Sequence, residues 1–562
     1  MKTRRTAAVA LAAALALTVA GCAKGNTSSD NTDKNGATLP TTAWDSAKYD
    51  DVKAGGTLTL AISQLPDNYN NYQANGALAD TTDLSVPTGP GSITGAVRVQ
   101  SDGTWKVDKD YADSITLVSE DPQVVEVKLN KKGVWSDGSP IVANDMISNW
   151  KAMKGTNKAF EVVSTTGFQD IGSIVQGADK YTYKITYKTK NADWPNFTYP
   201  SFPASVSSSP AVFNKGYAKK PLPSNGPFVI SKVDQNAQVI TETPNPKWWG
   251  DKPKLDKIIF RVVDQSAQAQ AFANKEIDAV SIGQDKASYD TAKKRADVKI
   301  QRSNGLTWTH LTFNGTRGPL KDVKVRQAIG HAINREGMSA AANKPVGAPA
   351  ITQGSMIYMP GQKGYQDQAT PAIGFDLKKS EALLKEAGYT KGSDGIQTKN
   401  GKPLELSITV PSDTPTNAQR AQLIQGYLKK VGITIKLNTI PTTKYFNDYV
   451  IPLNFDMVTF SWQGTAFPVS TTQSLFNPID SGQNFTGITD PKLAGLWSAA
   501  NAELDPAKQT SLANAIDKEL YSYVPLITIA PTPEIFGVAK GLVNYGARQF
   551  EYPDYTKVGF KK

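Results

Sequence analysis

The stretch from Leu404 to Leu437 constrains the fold more than any other part of the chain. Leu404, Leu406, Ile408 and Val410 alternate with other residues at the period of a strand. Ala421, Ile424, Leu428 and Val431 then recur at helical spacing, and after Gly432 the alternation returns in Ile433, Ile435 and Leu437. A strand, a helix and a second strand of these lengths form a right-handed crossover between parallel strands, so this part of the chain belongs to an α/β layer. Ligands of such layers gather beyond the carboxyl ends of the strands, here from Pro411 to Asn417 and its surroundings.

One core does not organise the whole chain. Single hydrophobic cores stop growing near about 250–300 residues, and this chain has 562, so two large lobes are expected. Further strands are read at Thr57 to Ile62, after the Gly55-Gly56 punctuation, at Gln123 to Leu129, Tyr181 to Tyr187, Gly226 to Ile230, Lys257 to Val263 and Ile277 to Val280. A helix is expected with Asn144 as its N-cap and Met146, Ile147 and Trp150 on its apolar side. Asp322 caps a helix whose stripe is Val325, Ala328, Ile329, Ala332 and Ile333, and Asp376 caps another that Gly388 closes.

The rarest residues remove whole classes of chemistry. There are two histidines, His310 and His331, and one cysteine, Cys22. Zinc sites need three or four Cys, His or acidic ligands, so Cys/His metal centres are excluded in practice; both histidines are read as structural. No metal or cofactor is expected. Lys plus Arg number 62 against 51 Asp plus Glu, a formal net charge of +11. Stretches such as Asp251 to Lys257 mix both signs, which suits a solvated surface and not a nucleic-acid face. Ser148 and Lys151 match the Ser-x-x-Lys of a serine acyl-enzyme, and residues three apart do share a helix face. No Lys-Thr-Gly accompanies them, so no enzyme activity is expected.

The N-terminus reads as an export signal. Lys2, Arg4 and Arg5 precede an apolar run of 14 residues, Ala7 to Ala20, shorter than the roughly 20 needed to span a bilayer. Val19-Ala20-Gly21-Cys22 resembles a bacterial lipobox, and the resemblance implies acylation of Cys22 with palmitate-type chains, removal of residues 1–21, and an extracytoplasmic protein anchored to the cell membrane. Residues 22–54, rich in Ser, Thr, Asn and Gly, are expected to form a flexible tether.

Taken in order, the motifs Lys132 to Pro140, Asn225 to Phe228, Asn245 to Gly250, Asp322 to Ala328 and Leu383 to Tyr389 together resemble the family 5 extracellular solute-binding proteins, the oligopeptide and dipeptide receptors of ABC importers. Lys132 to Pro140 with Ala143-Asn144-Asp145-Met146 resembles that family's Trp-Ser-Asp-Gly turn and helix. Asn225-Gly226-Pro227-Phe228, Asn245-Pro246 with Trp249-Gly250, Asp322 to Ala328, and Leu383 to Tyr389 resemble further landmarks in the same order. The resemblance implies a two-lobed α/β periplasmic-binding-protein fold (type II, cluster C-like). Its first lobe would comprise 55–75, 222–305 and 535–562, its inserted subdomain 76–221 and its second lobe 306–534. It further implies a monomer that captures a peptide or small solute between the lobes and passes it to membrane permease subunits.

The ligand-binding residues expected from the resemblance are Trp462, Gln463, Gly464 and Thr465, with the loop carrying Asn68, Tyr69, Asn70 and Tyr72 opposite, and Gln353 and Tyr358 nearby. Thr465 stands where peptide-binding members carry an Asp for the peptide's α-amine. A hydroxyl does not neutralise a buried ammonium, so either another carboxylate serves or the ligand lacks that amine. Oligosaccharides, haem and metal chelates are the alternative ligands, and a signalling or adhesive lipoprotein with the same fold is a third reading.

Overall fold

The computed structural model describes residues 39–89, 96–412 and 414–562. Strand Thr57–Ile62 turns Leu58, Leu60 and Ile62 inward, at the period read from its sequence, and pairs in parallel with Lys257–Val262. Antiparallel pairing continues through Val239–Pro244 to Phe228–Asp234 and completes a four-stranded sheet. The intervening chain builds a separate antiparallel sheet in the order Ala112–Glu120, Gln123–Leu129, Thr182–Tyr187 and Ile171–Gln176.

Helix Ala143–Met153 corrects one expectation. Its N-cap is Val142, and Asn144 is exposed within the first turn. The capping group is Asp145. Its carboxylate accepts the Val142 N–H at 3.0 Å, the Ala204 N–H at 2.8 Å and the Trp135 Nε1–H at 3.1 Å. An acid at the third helical position reaches back to the cap more readily than an amide at the second. The Trp-Ser-Asp-Gly turn is thus a structural joint: Trp135 is fully buried and is tied to the helix that follows it.

The second large layer is a five-stranded sheet in the order Thr434–Ile440, Glu405–Pro411, Met457–Gln463, Thr307–Phe313 and Leu526–Pro531. Its first two strands are parallel and joined by helix Pro415–Lys430, which buries Ala421, Ile424 and Leu428. Asp322 caps Val323–Ala332 by accepting Lys324 N–H at 2.9 Å, and Asp376 caps Leu377–Glu386 by accepting Lys379 N–H at 3.0 Å. Both histidines are buried. His331 Nδ1–H donates to Gly374 O at 2.6 Å, and His310 Nδ1 lies 2.9 Å from Thr312 Oγ1.

A third sheet, Ala279–Ser281, Glu534–Ala539 and Val298–Ser303, joins the two layers. Val298–Ser303 runs through residues 304–306 into Thr307–Phe313, and Leu526–Pro531 runs through 532–533 into Glu534–Ala539. The two crossings touch: Thr532 N–H donates to Thr307 O at 2.7 Å. A Cβ on Gly305 would lie 2.0 Å from Thr532 O, so only glycine fits there.

The buried apolar residues fall into separate clusters. One runs from Trp308 to Ala530 and includes Phe550, a second from Ala96 to Tyr217, and a third joins 58–86, 228–279 and 538–558. From these we infer the second lobe, the inserted subdomain and the discontinuous first lobe, in that order.

Residues 39–54, assigned from composition to a tether, are docked on the body. Asn304 N–H donates to Pro40 O at 2.8 Å, Gln549 N–H to Thr41 O at 2.8 Å, Ala43 N–H to Ala547 O at 2.9 Å and Lys53 N–H to Phe560 O at 2.8 Å. Val52 is fully buried. A polar composition concealed this, because the backbone makes the contacts. Cys22 and the export signal lie outside the described residues. Among the described residues, no helix is long and apolar enough to cross a membrane.

One buried acid couples stability of the second lobe to pH. Asp517 is fully buried and accepts the Met356 N–H at 2.9 Å; burial, the largest cause, pushes its carboxyl up to about 7. From about pH 4 to pH 7 the folded chain keeps a proton that the unfolded chain has released, so this group's contribution falls as pH rises through that window. Asp517→Asn removes the titration. The melting temperature of the variant relative to the parent is expected to rise from pH 4 to pH 7 and to level off above it, measured by thermal unfolding across that range.

Candidate functional site

Two cavities lie where the lobes face one another beside the strand crossings. The larger, about 690 Å³, is walled on one side by Ile282, Gln284 and Lys286, and on the other by Thr309, Met338, Arg420 and Ala530. The smaller, about 320 Å³, is walled by Asp83, Ser281, Glu534 and Arg548, with Leu306 and Gln463 from the second lobe. Leu306 and Thr309 belong to one continuous run of chain, so that run contributes to the walls of both cavities. Both volumes suit small ligands, whose sites occupy roughly 300–1,000 Å³.

The cavities carry opposite charge. In the smaller, crowding by protein raises the carboxyl of Asp83 to about 6, with Asp80 adding to the rise and Arg548 opposing it. Glu534 is raised for the same first reason and again opposed by Arg548. In the larger, burial lowers the Arg420 guanidinium to about 10, which leaves it a cation at neutral pH. Its Nη1 donates to Asn417 Oδ1 at 2.9 Å and to Thr459 Oγ1 at 3.0 Å.

The inserted subdomain and the second lobe touch directly. Asp193, buried and pushed up by desolvation, accepts the Ser470 hydroxyl. Ala192 N–H donates to Asn501 O at 2.9 Å, and Lys363 N–H donates to Asp102 O at 2.8 Å. These contacts span the gap between the two bodies, so the conformation is a closed one.

The expected ligand residues separate into two groups. Strand Met457–Gln463 delivers Trp462 and Gln463 to its carboxyl end. Trp462 is half-buried and nearly parallel to two rings, Phe485 with centroids 5.8 Å apart and His310 at 6.0 Å. Burial lowers His310 to about 3, so this aromatic group is uncharged at neutral pH. Gln463 lines the smaller cavity, and its Oε1 accepts the Thr307 hydroxyl at 2.9 Å. Gly464 N–H donates to Leu306 O at 2.7 Å, and a Cβ there would meet Met359 Cγ at 2.5 Å. Thr465 pairs its hydroxyl with Thr471 at 3.0 Å and its carbonyl with Gln362 Nε2 at 3.0 Å.

The other expected residues lie outside the walls of these two cavities. Asn68 and Asn70 are buried, and their amides donate to Asn214 O at 2.8 Å and Phe213 O at 3.0 Å. Tyr69 N–H donates to Tyr217 O at 2.9 Å. This loop pins the first lobe to the inserted subdomain. Tyr69 and Tyr72 line a small cavity of about 50 Å³ with Ser201 and Leu222, away from Trp462. Gln353 and Tyr358 are buried in the second lobe, where Gln353 Nε2 donates to Ser355 O at 2.6 Å and Tyr358 O at 2.8 Å. Neither wall of the two interlobe cavities includes them. Ser148 Oγ lies 2.8 Å from Ser207 Oγ, its partner in place of an exposed Lys151.

Asp83, Glu534, Arg548 and Arg420 were not singled out in the sequence. Arg420 was within reach, since it lies in the helix that opens just after the strand end flagged for ligands. Asp83 and Glu534 come from opposite ends of the chain, and no local pattern announces their meeting.

The family model for bacterial extracellular solute-binding proteins, family 5, matches residues 106–484. The oligopeptide-binding protein OppA of Mycobacterium bovis is 32% identical over 515 residues, covering 91% of this chain and 86% of that protein. Among solved structures, a periplasmic EDTA-binding protein, EppA, superposes with a TM-score of 0.81 at 25% identity, over 93% of this chain and 99% of that one. The oligopeptide-binding protein AppA of Bacillus subtilis, in complex with a nonapeptide, superposes with a TM-score of 0.68 at 20% identity, over 91% of this chain and 100% of that one, and shares the fold. With two lobes, an inserted subdomain, a cleft between them and these likenesses, the chain belongs to the family 5 bacterial extracellular solute-binding proteins.

Proposed function

We propose that the protein is the substrate-binding lipoprotein of an ABC importer, that it captures oligopeptides between its lobes, and that it hands them to permease subunits in the membrane. The observation that carries this reading is the interlobe cleft, with Asp83 and Glu534 beside Arg548 at one end and Arg420 at the other, an arrangement that suits the two termini of a peptide. The likeness to an oligopeptide-binding relative across most of the chain supports it. Asp83 and Glu534 are the carboxylates available to an ammonium, in place of the aspartate that Thr465 replaces. Trp462, with Phe485 and His310 beside it, offers an uncharged aromatic face for a side chain. In this reading the protein acts as a monomer, and acylated Cys22 holds it at the outer face of the cell membrane. A second reading, capture of an aminopolycarboxylate chelate, draws on Arg420 and on the EDTA-binding neighbour.

Two measurements test this. Native mass spectrometry of the purified chain, followed by denaturation, is expected to release a ladder of peptide masses; one recurring non-peptide mass sinks the peptide assignment and favours the chelate. The contact between Asp193 and Ser470 stabilises the closed form without touching either cavity. Asp193→Ala is therefore expected to weaken peptide affinity roughly 10- to 150-fold by calorimetry, the scale of one charge-assisted hydrogen bond of about 1.5–3 kcal/mol.

A further inference from the structure

The N-terminal segment crosses the hinge. Its inner end belongs to the first lobe: Lys53 N–H donates to Phe560 O at 2.8 Å, and the Tyr49 hydroxyl donates to Lys252 O at 2.8 Å. Val52 packs so tightly there that a Cβ on Gly559 would lie 2.7 Å from Val52 Cγ1. The middle of the segment runs along the joining sheet and the C-terminal segment. Asp45 is ion-paired with Lys299, Asn544 N–H donates to Asp45 O at 2.7 Å, and Ala47 N–H donates to Asn544 Oδ1 at 2.8 Å. The outer end reaches the second lobe. Thr41 is buried, and a Cβ on Gly361 would lie 2.7 Å from Thr41 Cγ2, 2.7 Å from Gln549 Oε1 and 2.8 Å from Asn304 Nδ2. Gly361 lies in a loop of that lobe, since Met359 belongs to its core and Gln362 Nε2 donates to Thr465 O at 3.0 Å.

Thr41 therefore sits in a socket with walls of three origins: the crossing at Asn304, the second lobe at Gly361 and the C-terminal segment at Gln549. The carbonyls before it are held by the crossing, with Asn304 N–H donating to Pro40 O at 2.8 Å and Asn304 Nδ2 to Leu39 O at 3.1 Å. Rotation of the second lobe about the crossings shifts Gly361 relative to the inner end of the segment, and a stretch of chain bonded at both ends does not keep both sets of contacts. Ordering the outer end costs conformational entropy, so it stays docked only where socket and donors are presented together. One residue joins the segment to the cleft directly: Arg548 pairs with Thr42 in an antiparallel bridge and lines the smaller cavity.

We propose that residues 39–47 form a strap across the hinge: closure of the lobes completes the Thr41 socket, and docking of the strap stabilises the closed, ligand-holding form. The proposal rests on the reading of the interlobe cleft as the ligand site. Coupling of this kind is reciprocal, so a ligand tightens the strap by the factor by which the strap tightens the ligand. The state of the cleft is thereby relayed to the N-terminal end of the folded body.

The test reads hydrogen exchange at the Ala43 and Gln549 amides, and ligand affinity by calorimetry, on the full chain stripped of ligand. The probes are a tripeptide pool and EDTA. Saturation with whichever probe binds is expected to slow exchange at both amides at least about fivefold. Thr41→Glu, which forces a charge into the socket, is expected to weaken binding of that probe by the same factor. Thr41→Val, which keeps the branched shape, is expected to stay near the parent, and thermal unfolding checks that each variant is folded. Saturable binding with unchanged exchange at these amides, or with parent-like affinity in Thr41→Glu, overturns the strap and leaves the cleft as the ligand site. If neither probe binds, the ligand reading fails instead, and the stripped chain decides the strap. Asp193→Ala, which removes a closing contact between the inserted subdomain and the second lobe, is then expected to speed exchange at both amides severalfold, and unchanged exchange overturns the strap.

Discussion

Everything in this molecule hangs on two strand crossings. Residues 304–306 and 532–533 are where the chain passes between the joining sheet and the five-stranded layer. They lie against one another through the Thr532 to Thr307 hydrogen bond and the space that Gly305 leaves open. Two adjacent crossings permit rotation of one lobe against the other while holding their separation. The cavities lie beside these crossings, so small backbone changes there move whole cavity walls. The docked N-terminal segment ends on the same place, with Pro40 accepting from Asn304 and Thr41 from Gln549. Gln549 in turn donates to Gly305 O at 3.1 Å and Pro360 O at 2.8 Å, tying both lobes to the C-terminal segment.

The cleft is electrostatically divided, and this follows from its construction. Asp83 and Glu534 reach the smaller cavity from the first lobe's side, and Arg420 reaches the larger from the second lobe. Glu534 and Arg420 are shifted toward their neutral forms by burial, the condition of a group that gains from an opposite charge arriving with a ligand. Closure brings in a third element: the inserted subdomain, whose Asp193 and Ala192 meet Ser470 and Asn501 at the cleft's far edge.

The periodic elements were legible because burial alone specifies them. Leu58, Leu60 and Ile62, the Asp322 and Asp376 caps, and the parallel unit around Ile408 and Ile435 all appear where alternation and capping chemistry put them. Asn144 misled because several residues near a helix start have capping side chains, and the tertiary hydrogen bonds of Asp145 to Ala204 and Trp135 decided among them. Of the expected ligand residues, Gln463 lines one of the two interlobe cavities, and Trp462 precedes it on the same strand. The amides at Asn68 and Asn70 suggested a ligand loop, yet the same donors satisfy the carbonyls of Asn214 and Phe213. A composition does not distinguish those uses. The charges that divide the cleft come from remote segments, and only the folded chain brings them together.

The central claim is that a ligand held between the lobes stabilises the closed form about these crossings. Small-angle X-ray scattering of ligand-stripped protein, titrated with its peptide pool to saturation, tests it most directly. The account predicts a larger radius of gyration without ligand and a contraction that saturates with binding. Saturable binding with an unchanged radius, from a stripped protein, would contradict it.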